Sequence, residues 1–218
     1  MTDSLPVVES FHSIQGEGTH AGKSAFFIRL AGCKIKCSWC DTKESWSFHD
    51  HPQQNVSDLA KKVVKARERG ALFLVITGGE PLHHNLEPLC KAIKEETSIK
   101  NSHPLSIHLE TSGVHQISGR INWITLSPKK HYPPRQDILD ICQELKVIIH
   151  NKEDIRFAKE MAKKIRKNEN SHLQSTQPYL FLQPGWNNDE GRELAIEFVK
   201  KNPHWRLSMQ THKWLGIT

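Results

Sequence analysis

The 218-residue sequence predicts an α/β fold built around a largely parallel sheet. Two observations support this prediction. Apolar runs typical of strands alternate with amphipathic segments of helix length, a pattern that favours βαβ units. Polar motifs also follow several of these runs directly, at the strand ends where parallel α/β folds gather their sites. Periodicity alone leaves open whether the sheet forms a barrel, a partial barrel or an open doubly wound arrangement.

The individual elements follow from the apolar patterns, taken in chain order. The predicted strands are residues 25–30, 72–76, 105–109, 121–126, 145–149, 179–182 and 205–209. The predicted helices are residues 56–69, 86–96, 138–144, 155–165 and 190–201. In the first helix, Leu59, Val63 and Val64 share one face, and Gly70 is a stop signal. Residues 42–55 and 129–135 are predicted to be irregular.

Length and composition favour one globular domain spanning residues 1–218. The 30 Lys and Arg exceed the 24 Asp and Glu by only six charges. The densest basic group is interpreted as a solvated helix face, so no direct nucleic-acid contact is expected. Its members are Lys163, Lys164, Arg166 and Lys167. No apolar stretch approaches the roughly 18 residues of a membrane span, and residues 1–9 lack a secretory signal, so a cytoplasmic protein is expected.

Three of the five cysteines, Cys33, Cys37 and Cys40, lie within eight residues directly after the first predicted strand. Cys90 and Cys142 stand alone in apolar segments and are expected to be small buried residues. A structural zinc site needs four ligands, usually supplied as two pairs. Three cysteines on a four-iron cluster leave one iron open for chemistry. Two alternatives remain: a zinc site completed by a histidine, and three cysteines that are merely buried.

The C-x3-C-x2-C spacing resembles that of the radical S-adenosylmethionine enzymes. The resemblance implies a 4Fe–4S cluster on the three cysteines, whose open iron binds the amino and carboxylate groups of S-adenosylmethionine. Residues 77–81, Thr-Gly-Gly-Glu-Pro, match a second segment of this family, which holds the amino group. Glycines without a Cβ let a ligand approach the backbone closely, and Glu80 is expected to accept hydrogen bonds from an ammonium group.

Further segments narrow the resemblance. Residues 14–18, Arg29, Asp41 with Thr42, and the terminal residues 210–218 are together similar to the 7-carboxy-7-deazaguanine synthases, a family of radical S-adenosylmethionine enzymes. The similarity runs from about residue 11 to residue 218. It implies an α/β fold of the family's own type, an incomplete, modified parallel β/α barrel.

The resemblance also implies a reaction. The family converts 6-carboxy-5,6,7,8-tetrahydropterin to 7-carboxy-7-deazaguanine with loss of ammonia, in the biosynthesis of queuosine and related 7-deazapurines. An electron from the reduced cluster cleaves S-adenosylmethionine, and the resulting radical takes a hydrogen from the pterin and later returns it. Because the cluster and S-adenosylmethionine carry this chemistry, no side chain is expected to be catalytic itself.

The expected binding residues fall into two groups. Those expected around S-adenosylmethionine are Trp39, Cys40, Asp41, Gly79, Glu80, Ser127, Pro128, Lys129, Gln183, Pro184, Gly185 and Trp186. Those expected around the substrate are Ile14, Gln15, Gly16, Arg29, Thr77, Glu110 and Thr218. Arg29 suits the substrate carboxylate as a bidentate fork. Glu110 is the first choice for the donor edge of the pterin, with Glu17 second, while Thr218 would act through a terminal carboxylate that the family uses.

Thr42 matches the family's magnesium position, with Asp41 as an alternative ligand. One neutral protein ligand agrees with the tendency of Mg²⁺ to keep water and substrate ligands. The resemblance further implies a reducing electron-donor protein and a homodimer. Residues 43–55 are expected to form a loop or helix over the cluster, and no role is given to their histidines.

Two rival interpretations remain. A glycyl-radical activase would share the cysteine array and residues 77–81, but it is expected to lack Arg29, residues 14–18 and the terminal Gly-Ile-Thr together. A zinc-dependent nucleic-acid-binding protein would use the net positive charge. Iron and sulfide after anaerobic purification would favour the radical enzymes, and stoichiometric zinc the nucleic-acid-binding protein.

Overall fold

The structure is a computed structural model and describes residues 3–99, 105–166 and 177–217. Within these ranges nine strands form one sheet: β1 (Ser4–Ile14), β2 (Ser24–Leu30), β3 (Gln53–Asn55), β4 (Phe73–Gly78), β5 (Ser106–Thr111), β6 (Trp123–Leu126), β7 (Glu144–Ile149), β8 (Tyr179–Pro184) and β9 (Trp205–Leu207). Their order is β3-β1-β2-β4-β5-β6-β7-β8-β9. From β2 to β9 the neighbours run parallel, while β1 is antiparallel to both β2 and β3.

The helices are α1 (Val56–Glu68), α2 (Glu87–Ile99), α3 (Gln136–Ile141), α4 (Lys152–Lys164), α5 (Asp189–Lys201) and α6 (Thr211–Leu215). Three of these helices have an asparagine at the N-cap, whose side-chain oxygen accepts a hydrogen bond from a backbone N–H group of the first turn. Asn55 caps α1, Asn151 caps α4 in a capping box, and Asn188 caps α5. None of the helices in the described ranges combines the length and apolar character that a bilayer crossing requires.

The two faces of the sheet differ. One carries the large apolar core, to which β2 contributes Phe26, Ile28 and Leu30 and against which residues of α1, α2, α4 and α5 pack. The other carries a small cluster of Phe11, Phe27 and their neighbours, together with polar side chains. Side chains alternate between the two faces along each strand, so each strand contributes both to the large core and to the opposite, inner face. Because the helices pack on the face with the large core, the fold is an incomplete barrel rather than a doubly wound sheet.

The sheet does not close, since β3 and β9 are its edges. The loop after β1 crosses the open side. Its Gly18 N–H donates to Ser208 Oγ at 3.0 Å, and its Thr19 N–H donates to Glu144 Oε2 at 2.8 Å. The His20 ring then fills the amino-terminal end of the inner face, with its centroid 4.7 Å from that of His108.

Each predicted strand overlaps an observed one, and so does each predicted helix. The helix predicted over 138–144 is wrong at its end, because Gln143 leaves the helix and its side chain accepts from the backbone N–H of Ile124 in β6. Glu144 instead opens β7. Three elements were not predicted: β1, whose polar residues hide its apolar alternation, and the short β3 and α6.

Residues 43–55, expected to be a loop or helix, contain a 3-10 turn at Lys43–Trp46 and the strand β3. Their backbone supports the cysteine segment, since Gly32 N–H donates to Ser45 O at 2.7 Å and Cys33 N–H donates to Trp46 O at 3.1 Å. Of the basic group, Lys163, Lys164 and Arg166 are described and Lys163 and Lys164 end α4, whereas Lys167 lies outside the described residues.

Candidate active site

The carboxyl ends of the parallel strands surround a cavity of about 720 Å³. Alternation along β2, β4, β5 and β7 points one polar side chain from each strand into this space. These side chains are Arg29, Thr77, Glu110 and Lys146. The segments that follow the strands complete the walls, and the cysteine segment after β2 is one of them.

Cys33, Cys37 and Cys40 all line the cavity. Cys33 and Cys37 are buried with Ile35, and Cys40 packs against them. All five cysteines of the chain are free thiols. Burial raises the pKa of the Cys37 thiol, and the nearby positive charge of Lys129 opposes that rise. The site therefore collects three thiols, and the charge of Lys129 partly offsets the effect of burial on the Cys37 thiol.

The donor set fits a cluster better than a single metal ion. Within the described residues, no three His, Cys, Asp or Glu side chains converge to hold one ion. His131 Nε2 lies 3.8 Å from Cys37 Sγ but also pairs with the carbonyl oxygen of Ile35 at 3.1 Å. In a four-iron cluster each thiolate binds a different iron, so the three sulfurs need not meet at one point. This weakens the zinc alternative.

Gly78 and Gly79 lie at the end of β4, against the backbone that leads into the cysteine segment. Gly78 has φ of 118°, and a Cβ there would lie 2.2 Å from Leu30 O. A Cβ on Gly79 would lie 2.5 Å from Gly32 O. We expected the missing Cβ atoms to make room for a ligand. A Cβ at either position would meet the chain itself, so these glycines let β4 lie close to the segment that leads to the cysteines. Both glycines also line the cavity, so the approach of a ligand to their backbone stays a prediction.

For Glu80, the structure shows a role different from the expected one. Its carboxylate is 1% exposed and accepts four hydrogen bonds from the protein. Thr111 Oγ1 and Leu82 N–H donate to Oε1, and the N–H and hydroxyl of Ser112 donate to Oε2. A carboxylate has about four acceptor positions, so none is left for an ammonium group. Glu80 instead ties the end of β4 to the end of β5.

Thr42 and Asp41 differ in what they offer a cation. Thr42 Oγ1 lies 3.6 Å from Cys40 Sγ, at the edge of the cavity. Asp41 is engaged by Lys213 Nζ at 2.6 Å and by Gln210 Nε2 at 3.2 Å. Burial raises the pKa of Asp41, but the hydrogen bond and charge of Lys213 outweigh it and lower the pKa overall. A carboxylate neutralised in this way does not favour the alternative that Asp41 holds magnesium.

Groups expected around S-adenosylmethionine also line the cavity. Lys129 Nζ donates to Ser127 Oγ at 2.8 Å. Burial lowers the pKa of Lys129, and the thiols of Cys37 and Cys40 partly offset this effect. Trp186 is 44% exposed, with Lys213 Nζ 5.0 Å from its ring centroid. These side chains offer a cation and an aromatic face to a ligand in the cavity.

A hydrogen-bonded group around Glu110 forms another part of the cavity lining. Gln15 Nε2 donates to its Oε1 at 3.1 Å, and Thr77 Oγ1 donates to its Oε2 at 2.8 Å. The Gln15 side-chain oxygen accepts from the Glu17 N–H at 3.1 Å. Gln15 and Thr77 thus orient the carboxylate, which keeps acceptor capacity toward the cavity.

Arg29 faces the same space from β2. Its Nε donates to Glu9 Oε1 at 2.7 Å, and its Cζ lies 5.9 Å from the Phe11 ring centroid. Both partners come from β1, which the sequence did not predict. The two terminal nitrogens of the guanidinium remain for a ligand.

The segment of residues 14–18 meets the segment of residues 210–213. Gly16 O accepts from Thr211 N–H at 3.0 Å and from Thr211 Oγ1 at 2.9 Å. A Cβ on Gly16 would lie 2.2 Å from His212 Nδ1. The two ends of the chain that carried the narrower resemblance therefore form one wall of the cavity.

Most residues predicted for the site line the cavity. They are Ile14, Gln15, Gly16, Arg29, Cys33, Cys37, Trp39, Cys40, Asp41, Thr42, Thr77, Gly79, Glu80, Glu110, Ser127, Lys129, Gln183, Pro184, Gly185 and Trp186. Pro128 is not among the lining residues and is buried. Thr218 lies outside the described residues.

Sequence reasoning missed several lining residues, including Phe11, Lys146, His150 and His212. Lys146 carried a signal, since a charged residue inside an apolar strand run is rarely buried without a partner. His212 belonged to a segment already singled out for its resemblance. Phe11 and His150 carried no signal that periodicity could detect.

Comparisons with known proteins agree with this geometry. A family profile described as a 4Fe-4S single cluster domain matches residues 14–175. The chain is 56% identical over 224 residues to the 7-carboxy-7-deazaguanine synthase of Prochlorococcus marinus, covering 100% of both chains. It is 44% identical to the protein of that name from Synechocystis, covering 100% of this chain and 95% of that one.

Among solved structures, the crystal structure of QueE from Escherichia coli superposes with a TM-score of 0.79. The two sequences are 29% identical, and the match covers 94% of this chain and 93% of the other. The 7-carboxy-7-deazaguanine synthase of Escherichia coli is 33% identical, covering 97% of this chain and 98% of that protein. Sequence and fold thus point to the same relatives over nearly the full length.

Proposed function

The chain belongs to the 7-carboxy-7-deazaguanine synthase family, and from this premise we propose that it converts 6-carboxy-5,6,7,8-tetrahydropterin to 7-carboxy-7-deazaguanine with loss of ammonia. The enzyme is of the radical S-adenosylmethionine type and acts in queuosine biosynthesis. The observation that carries the proposal is one cavity whose lining includes three clustered thiols, an oriented carboxylate and a guanidinium. That arrangement suits a ligand with both donor and acceptor edges beside a metal cluster.

Cys33, Cys37 and Cys40 hold the 4Fe–4S cluster. When bound, the cluster and S-adenosylmethionine supply the electron and the radical that start the ring contraction. Lys129 binds the carboxylate of S-adenosylmethionine, and Trp39 and Trp186 border its adenine. The backbone around Gly79 faces the amino group of S-adenosylmethionine. The Glu80 carboxylate holds this backbone in place through its hydrogen bonds from Ser112.

The chain's own residues bind and orient the pterin. The free edge of the Arg29 guanidinium pairs with the substrate carboxylate. Glu110 accepts hydrogen bonds from the amino-pyrimidinone edge, and Gln15 and Thr77 fix the carboxylate for that task. The walls from residues 14–18 and 210–213 exclude water from the ring. A contact from the Thr218 carboxylate stays a prediction.

Magnesium, when present, is held by Thr42 Oγ1 with substrate oxygens and water as its other ligands. This proposal is supported by the position of Thr42 at the cavity edge and by the preference of Mg²⁺ for oxygen ligands. We further propose a reducing electron-donor protein, a homodimer, and one catalytic domain over residues 1–218. The last of these is supported by a sheet whose strands run from Ser4 to Leu207.

The deciding experiment is turnover by the anaerobically reconstituted protein. After chemical reduction it is incubated with the carboxypterin, S-adenosylmethionine and magnesium, and the product is identified by its mass and absorption spectrum. We expect 7-carboxy-7-deazaguanine, with S-adenosylmethionine regenerated rather than consumed. Reductive cleavage of S-adenosylmethionine without deazapurine would leave the enzyme class intact and refute the substrate.

A further inference from the structure

Lys146 is a buried cation inside the cavity. It lies in the middle of β7, and its backbone neighbours Leu145 and Val147 belong to the apolar core on the other face of the sheet. Its side chain is 6% exposed and lines the cavity. Burying a charge costs free energy unless the charge is paired, so a lysine at this position is expected to have carboxylate partners.

The negative charges of three carboxylates act on this ammonium. Its Nζ donates to Glu17 Oε2 in an ion pair, and the negative charges of Glu110 and Glu144 act on it as well. Burial lowers the pKa of Lys146, but these carboxylates outweigh burial and raise it overall. Glu144 is already committed to the backbone N–H of Thr19. Lys146 therefore balances the two carboxylates that face the cavity, Glu17 and Glu110.

Glu17 depends on this partner. Its side chain is 15% exposed, and burial alone raises its pKa. The charge and hydrogen bond of Lys146 outweigh burial, with smaller help from His212 and Gln210, and the pKa of Glu17 is lowered overall. Without Lys146, protonation would relieve the buried charge and would turn an acceptor into a donor.

The inference rests on the proposed function and names what that site recognises. We propose that Lys146 is a positioning residue: it keeps Glu17 ionised beside Glu110, so that two carboxylate acceptors meet the N–H groups along the amino-pyrimidinone edge of the substrate. Two acceptors select a ring that presents adjacent donors and disfavour one that presents a carbonyl at the same place. Lys146 thus acts on substrate choice through its neighbours rather than by touching the reacting atoms.

The test uses the full-length holoenzyme with S-adenosylmethionine bound under anaerobic conditions. The probe is pterin-6-carboxylate, whose fluorescence reports binding without turnover. The variants are K146M, K146R, the double variant E17Q/K146M, and K164M as a control, since Lys164 forms an exposed pair with Glu160. Thermal unfolding is measured on the same samples.

K146M is expected to bind the probe about 10- to 100-fold more weakly, the loss associated with a charged hydrogen bond. Its affinity should rise with pH, because Glu17 regains its charge, whereas wild-type affinity should not show this rise. His212, which also faces Glu17, is present in both proteins and cannot produce the difference. K146R should retain most of the affinity, and K164M should match wild type.

The double variant separates positioning from stability. Replacing both members of a buried pair removes the unpaired charge, so E17Q/K146M should recover the melting temperature lost by K146M. It should not recover the affinity, because the ionised acceptor is gone. If it recovers both, or if K146M binds like wild type at every pH, the proposal is overturned. If wild type neither binds the probe nor forms the deazapurine, the proposed function fails, and this inference fails with it.

Discussion

The Nε atom of Arg29 donates to Glu9 Oε1 at 2.7 Å across the antiparallel pair of β1 and β2. The register of this pair shifts between Val7 and Glu9, and the shift sets Glu9 opposite Arg29. Bulges of this kind re-aim side chains near sites. Because one edge of the guanidinium is held by Glu9, the other is presented to the cavity.

This pairing predicts a defect in substrate binding for E9A. The guanidinium should lose its fixed orientation, and KM for the carboxypterin should rise about tenfold, the effect of losing one charged hydrogen bond, with a smaller change in kcat. Steady-state kinetics of the reduced enzyme measure both. E197Q serves as control, because Glu197 forms an exposed pair with Lys201 far from β1. An unchanged KM for E9A would show that Arg29 needs no such support.

Loss of one cluster thiol should abolish the iron–sulfur centre. C37A removes one of three thiols that line the cavity, so iron and sulfide content, brown colour and turnover should all be lost. C142A is the matched control, because Cys142 is a buried thiol in the apolar core and its burial raises its pKa to about 12. Iron and sulfide assays on both anaerobically purified variants decide the matter. Full iron content in C37A would contradict the assignment of the cluster.

Glu80 is expected to matter for stability even without any ligand. In E80Q one carboxylate oxygen becomes an NH₂ donor that faces fixed N–H donors, either Leu82 N–H or Ser112 N–H. The free energy of unfolding should fall by about 2–3 kcal/mol, the cost of an unsatisfied buried group. Urea denaturation of the cluster-free protein measures this change. E160Q, at an exposed position, should unfold like wild type, and equal stability of E80Q would mean that the four hydrogen bonds are dispensable.

Acid sensitivity should depend on His108, whose ring stacks on Phe73 with centroids 4.2 Å apart. Burial and the nearby His20 and Lys23 lower its pKa from 6.5 to about 3. Below pH 6.5 the unfolded chain therefore takes up a proton that the folded protein does not, and stability falls as pH drops toward about 3.

H108F should remove up to about 1 kcal/mol per pH unit of this dependence, because phenylalanine keeps the stacking but does not titrate. Denaturation at neutral and mildly acidic pH measures the slope. H204N, at an exposed histidine, should keep the wild-type slope. An equally steep loss in H108F would assign the acid sensitivity elsewhere.

The parallel part of the fold could be predicted because its strands are apolar on both faces near their centres. In β4, for example, the consecutive residues Leu74, Val75 and Ile76 point to alternating faces of the sheet, and all three are fully buried. β1 escaped prediction because its inner face belongs to the site: Glu9 and Phe11 face Arg29, and such residues interrupt an apolar pattern. The strand that holds Arg29 in place is thus the one whose sequence looks least like a strand.

The same contrast holds in the site. Cys33, Cys37 and Cys40 could be grouped from their spacing, because one short loop carries all three. Lys146 and Glu17 are separated by 129 residues, and only the fold brings them together. Glu80 was placed correctly beside the cavity, but its saturation by Thr111 and Ser112 depends on the neighbouring strand β5, which its own segment does not reveal.

The contact between Gly16 and Thr211 joins positions 195 residues apart. During synthesis the thiols of the cysteine segment emerge from the ribosome long before Thr211 exists. The cavity wall that these two segments share therefore forms only after nearly the whole chain has been synthesised.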